Sequence, residues 1–228
     1  MSVLSGASFS VNGSGLLSGN HVTVSPFRTP GERAADRAAK REAVLRAAVR
    51  MFNERGFHAT SLDDVAASLG ISKRTIYHYL ASKDQVLLEC ITIGLQQVLA
   101  AAKEARTAEG TGRERLEHLL RRYAEINMDD FGRCVIRTGE EALARESLPR
   151  YRALKREIDL AMRTLIADAV EDGSIGAVDV KMAAFVLAGA LNWPARWHKP
   201  DGAMAANDIA SIMVALLMNG VANGGKAV

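Results

Sequence analysis

The sequence predicts an all-α chain, with a three-helix head near the N-terminus and a body of about six helices behind it. Three observations lead there. Ala is abundant and only 5% of the 228 residues are aromatic, which favours helix over sheet. Apolar residues recur at helical spacing through most of the chain, and no alternating strand pattern or internal repeat stands out. The stretch Ala59 to Asp84 reads as two short helices joined by a tight turn, the signature of a helix-turn-helix.

Composition bounds the rest. The chain is long enough for a large core, and 48% apolar with 24% charged residues is ordinary for a globular protein. Residues 91–228 carry 18 basic and 18 acidic side chains, so the whole +3 excess lies in the first 90 residues. An excess confined to one end suits contact with phosphates there. Cys90 and Cys134 are far apart and form no CxxC, as expected of two packed thiols in a reducing cytoplasm; a redox pair is the alternative. No signal-peptide pattern and no membrane-length apolar run is read, so a cytoplasmic protein without a membrane partner is expected.

Residues 1–30 are rich in Ser and Gly and carry one charge, Arg28. A disordered extension is expected; the functional alternative is an arm entering a DNA minor groove. Gly31 to Arg55 is the first helix, with Val44, Leu45, Ala48, Met51 and Phe52 as its apolar stripe. Ser61 to Leu69 is the second, with Thr60 placed to cap it and Gly70 to end it. Ser72 caps the third, Lys73 to Leu80. Ala66 is small where the third helix crosses, and Ile71 and Ile76 fill the angle. These elements make residues 31–82 the head. Residues 83–228 form the body. Its first helix runs from Lys83 to about Ala105 and carries Gly94 as a candidate bend. Arg113–Met128, Phe131–Arg145, Pro149–Glu171, Val178–Trp193 and Ala206–Val221 follow. The last two are apolar almost all round, which predicts burial on every face, against a second copy of the chain or inside a monomer core.

In a helix-turn-helix the second helix enters the DNA major groove with its N-terminal residues toward base edges. Here these are Lys73, Arg74, Thr75, Tyr77 and His78. Lys73 and Arg74 suit guanine, Thr75 a thymine methyl, and His78 base or backbone. Thr60 and Ser61, at a helix start, suit a phosphate. The segments GFHAT, SLDDVAASLGIS and TIYHYLASKD, within Gly56 to Asp84, resemble the DNA-binding domain of TetR-type transcriptional regulators. The resemblance covers roughly residues 34–88. It implies that Tyr77 and Lys83 also hold the DNA backbone, and that the chain works as a homodimer paired through its last two helices. It further implies an inverted-repeat operator in double-stranded DNA, a small-molecule effector bound by the body, and repression as the default.

One body segment stands apart. Both tryptophans fall in Asn192-Trp193-Pro194-Ala195-Arg196-Trp197-His198-Lys199. Flat rings beside cations suit a ligand with an aromatic base and phosphates. The segment is similar to NWxxRW in acyl-CoA-sensing TetR-type regulators, which implies Trp193, Arg196 and Trp197 near a CoA moiety. Pro194 departs from that pattern and leaves the direction of Arg196 open. Packing of both rings at a subunit interface is the other reading, and a sensor of drugs or hydrophobic compounds is the alternative function. Met128 and Phe131, with Cys134, Met162 and Leu165, are candidate walls of the acyl pocket; core packing explains each equally.

Nothing calls for a cofactor or metal. GxSxG, a Gly-rich phosphate loop and HExxH are absent, and the five histidines lack ligand spacing. The pairs Asp63-Asp64 and Glu140-Glu141 diverge by about 100° on a helix and share no target. A small helical enzyme is therefore not the expectation.

Overall fold

The computed structural model describes residues 29–220. Ten α-helices follow one another, and no strand occurs among the described residues. The head contains α1 (Pro30–Arg55), α2 (Leu62–Ser68) and α3 (Lys73–Tyr79). The body contains α4 (Lys83–Thr107), α5 (Gly112–Met128), α6 (Asp130–Arg137), α7 (Leu148–Glu171), α8 (Val180–Asn192), α9 (Pro194–Trp197) and α10 (Ala206–Asn219). Counting α9 as the single turn it is, the body has the expected six long elements. The extension expected over 1–30 lies outside the described residues except for Thr29 and Pro30. Thr29 caps α1, and its backbone N–H donates to Glu32 Oε2 in a reciprocal capping box.

Two local expectations need correction, and two are sharpened. Ser61, not Thr60, caps α2: its hydroxyl accepts from the Asp64 N–H, and Asp64 reaches back to the Ser61 N–H. Gly94 is a point of close packing. A Cβ there would lie 2.8 Å from the Phe131 carbonyl oxygen, so glycine lets α6 press against α4. The helix expected over Phe131–Arg145 ends at Arg137, because Thr138 and Gly139 turn extended and two short 3-10 turns follow. Within the single chain the last helices keep exposed apolar residues, Met182, Val186, Ile212 and Leu216, so a monomer core does not account for all their faces.

Two apolar cores run through the molecule. The first joins α1, α2, α3 and the start of α4 to Phe131 and Cys134 of α6 and Tyr151 of α7. The second joins the rest of α4 to α5, α7, α8 and α10. Helix α4 is thus shared, and the boundary at residue 82 separates motifs rather than packing. By length and composition α4 would suffice to cross a membrane, contrary to the expectation that no run would. Its buried face packs α1, α5, α6 and α7, which is the behaviour of a core helix. Both thiols are buried, and burial pushes Cys134 up to about 11 and Cys90 well up as well. Neither is poised as a thiolate.

A second tie fastens the head to the body. Asp130, the first residue of α6, accepts from Arg50 Nε at 2.9 Å through its carboxylate and from Asn53 Nδ2 at 2.8 Å through its carbonyl. Arg46 lies over the Phe131 ring, 5.5 Å from its centroid. The start of α6 is therefore in direct contact with α1.

Candidate nucleic-acid interface and ligand cavity

The turn between α2 and α3 is set by Gly70 at φ +64°, where a side chain would be strained. Ala66 and Ile76 are buried in the crossing, and the Ile71 N–H donates to the Ala66 carbonyl at 3.0 Å. Ser72 caps α3, accepting from the Thr75 N–H at 3.1 Å. That geometry presents Lys73 and Arg74 on the exposed first turn. Lys73 pairs with Asp63 at 2.7 Å and stands over the Tyr77 ring, 6.0 Å from its centroid. The carboxylate holds the Lys73 ammonium above its ordinary pKa. Arg74 makes no ion pair among the described residues. The Thr75 hydroxyl meets the Ser72 hydroxyl at 2.8 Å. His78 is exposed, its ring set edge-on to Tyr79 at 5.3 Å.

A groove beside this turn brings together Thr60, Ser61, Tyr77 and Lys83 with His58. Tyr77 is 47% exposed. Lys83 Nζ sits 4.3 Å from the Phe57 ring centroid and donates to the His58 carbonyl at 3.4 Å. Ser61 donates its hydroxyl to Asp64 at 2.6 Å, and that bond lowers the Asp64 pKa. Thr60 is the exception. It is 2% exposed, and its hydroxyl donates inward to the Gly56 and Met51 carbonyls at 2.9 and 3.3 Å. Its hydroxyl fastens the end of α1 and is not free for a phosphate.

The body holds a cavity of about 420 Å³, walled by α4, α5, α6, α7 and α8. Leu95, Val98, Ile158, Met162 and Ala184 make it largely apolar. Its size is that of a small-molecule site. A second hollow of about 420 Å³ adjoins it and is lined by Trp193 and Arg196. The two share Val135, Ile136, Tyr151, Lys155, Gly189 and Asn192 as walls. Pro194 is the first residue of α9 and starts a new turn after α8. This resolves the direction of Arg196, whose Nη2 donates to the Ile136 carbonyl at 3.3 Å beside the outer hollow. Trp193 is 62% exposed there. Trp197 is exposed but lines neither hollow.

Met128 and Phe131 need correction as pocket walls. Both are sealed in the cores, at 3% and 2% exposure, and neither faces the cavity. Of their companions only Met162 lines it; Cys134 and Leu165 are core. The residues that sequence reasoning missed are polar ones: Lys155, Tyr123, Asn127 and Asn192. Asn192 stands in the tryptophan segment, where the rings and cations are the more visible signal. Tyr123 and Asn127 are one helical turn apart on α5, a spacing that puts them on one face.

Known proteins match this architecture along most of the chain. The family model for bacterial regulatory proteins, tetR family, matches residues 44–90, and that for the tetracyclin repressor-like C-terminal domain matches 109–221. The chain is 24% identical to the HTH-type transcriptional repressor KstR2 of Rhodococcus jostii over 197 residues, covering 85% of this chain and 97% of that one. The crystal structure of the TetR family transcriptional regulator PfmR from Thermus thermophilus is 30% identical, with a TM-score of 0.72 over 79% of this chain and 99% of that one. The crystal structure of AibR in complex with isovaleryl coenzyme A and operator DNA is 26% identical, with a TM-score of 0.66 over 78% of this chain and 97% of its own. With both halves of the chain matched in order, and a relative aligned along nearly its whole length, this protein belongs to the TetR family of transcriptional regulators, DNA-binding proteins rather than enzymes.

Proposed function

We propose that the protein is a homodimeric repressor whose grip on an inverted-repeat operator is released by an acyl-CoA thioester. The observation that carries the effector is the pair of joined hollows. The inner one is largely apolar and sized for an acyl chain. The outer one offers Trp193, Arg196 and Lys155 to a nucleotide bearing phosphates. Neither Arg196 nor Lys155 makes an ion pair among the described residues. The similarity to AibR, whose crystal structure holds isovaleryl coenzyme A and operator DNA, supports the same class.

Lys73, Arg74 and Thr75 read bases, while Ser61, Tyr77 and Lys83 hold phosphates. In the bound state the Lys73 ammonium exchanges Asp63 for DNA. Exposed ion pairs are weak because water screens them, so that exchange costs little. The exposed stripes Met182/Val186 and Ile212/Leu216 on α8 and α10 pair with a second copy, which holds two heads at a fixed spacing. The two heads meet major grooves about 34 Å apart or a multiple of it.

Release works through α6. Its residues Gly132, Val135 and Ile136 wall the cavity, and its first residue Asp130 holds Arg50 and Asn53 of the head. A ligand that fits better with α6 displaced favours a different head spacing, which is the differential affinity release requires.

The test is a titration of operator-bound protein with acyl-CoAs of graded chain length and with free CoA, read by tryptophan fluorescence and operator release. Acyl-CoAs should quench the tryptophans and release the DNA, and free CoA should be weaker. The apolar lining of the inner cavity also suits a sensor of drugs or other hydrophobic compounds. Silence to every acyl-CoA, with dyes or drugs releasing the operator, would establish that reading instead.

A further inference from the structure

Three side chains form a hydrogen-bonded knot on the wall between the two hollows. Tyr123 donates its hydroxyl to Asn192 Oδ1 at 2.8 Å. Asn127 Nδ2 donates to the same oxygen at 3.0 Å and lies 3.5 Å from the Leu191 carbonyl. Tyr123 and Asn127 are themselves buried. Two donors converging on one oxygen fix which way the Asn192 amide faces. A flipped amide would set its Nδ2 against Asn127 Nδ2, donor against donor. The Asn192 Nδ2 is therefore turned away from the knot. It makes no hydrogen bond among the described residues, and it is not among their sealed, unsatisfied polar atoms. Asn192 lines both the inner cavity and the outer hollow, so the amide stands at the throat between them.

We infer that Asn192 is a specificity-determining donor that reads a carbonyl oxygen of the effector at this throat, with Tyr123 and Asn127 as the positioning residues that aim it. The inference rests on the acyl-CoA reading and adds to it. An acyl chain in the inner cavity and a nucleotide in the outer hollow leave the thioester at the junction. The thioester carbonyl is the polar acceptor that any acyl-CoA must bring past this wall, where Val135, Ile136 and Gly189 offer no side-chain donor and Lys155 is assigned to the phosphates. Burying that oxygen without a donor is costly, and a fixed Nδ2–H removes the cost. The same donor disfavours a ligand that carries only methylene groups at this point, because Nδ2 then loses water and gains nothing.

The experiment compares an acyl-CoA with the alkyl-CoA thioether of equal chain length, in which a methylene replaces the thioester carbonyl. Binding to the full-length protein is measured by calorimetry. The wild type should prefer the thioester by about tenfold, the scale of one hydrogen bond to a buried neutral donor. Asn192→Asp keeps an oxygen for Tyr123 and Asn127 but removes the donor, and should erase the preference between thioester and thioether. Tyr123→Phe should reduce the preference in part, because the amide loses one of its two anchors. Equal wild-type binding of thioester and thioether overturns the inference and leaves the acyl-CoA reading standing. Retention of the preference in Asn192→Asp also overturns it. Failure of the wild type to bind either ligand overturns both readings.

Discussion

The head and the body treat their polar groups in opposite ways. In the head, Ser61–Asp64, Ser72–Thr75 and Lys73–Asp63 all lie at the surface and bond to near neighbours. Such bonds exchange readily with water, and so with a phosphate or a base edge. In the body, Tyr123, Asn127 and Asn192 bond to one another along a cavity wall, with Tyr123 and Asn127 buried and Asn192 half-buried. A surface that must accept varied partners keeps its donors in weak, replaceable bonds. A site that must recognise one chemical group keeps its donors aimed by buried neighbours. Asp130 stands between the two regimes, holding α1 while α6 walls the cavity.

The largest effect should come where head and body share a core. Phe131 packs with residues of α1 and α4 in the first core. Phe131→Ala should cost about 3–5 kcal/mol by urea denaturation. If the head unfolded separately and unchanged, the joined core described here would be wrong. Next come the head contacts. Lys73→Ala or Arg74→Ala should each flatten discrimination between operator and mismatched DNA by about 1–3 kcal/mol. Lys83→Ala should instead weaken all DNA alike and lower the salt slope by roughly one unit per head. A change of preferred sequence in Lys83→Ala would contradict that division of labour. Ser61→Ala removes the cap of α2 and should cost about 1 kcal/mol of stability in thermal melts.

The smallest effect concerns pH. His198 Nδ1 accepts from Arg133 Nη2 at 3.1 Å, and burial lowers its pKa below the ordinary 6.5, with the Arg133 charge adding to this. The unfolded chain therefore binds this proton more readily than the folded one. Stability should be full above the ordinary imidazole value and fall as pH drops from about 6.5 through the lowered folded value. Melts from pH 7.5 downward should show this slope in the wild type and less of it in His198→Gln.

Much of the head was legible because helical period, Gly70 and small Ala66 all point to one geometry. What escaped there was a one-residue choice. Thr60 and Ser61 are both hydroxyl residues before an apolar run, and only packing against the end of α1 decides that Thr60 turns inward. In the body the helices were legible and their facing was not. Met128 and Phe131 are apolar at helical spacing, which says that they are buried but not which side of the wall they occupy. The early end of α6 was signalled by Gly139, and the role of Gly94 was hidden because close approach of a helix distant in sequence leaves no local mark. The throat amide was overlooked because a lone Asn acquires meaning only from the two donors that turn it.

The most direct measurement is selection of bound fragments from the protein's own genome at low salt, followed by footprinting of the recovered sites. The account predicts an inverted repeat with half-site centres about one helical turn apart, or a small multiple of it, protected on one face of the duplex by a dimer. Recovery of no preferred sequence, or of single half-sites bound by a monomer, would contradict it.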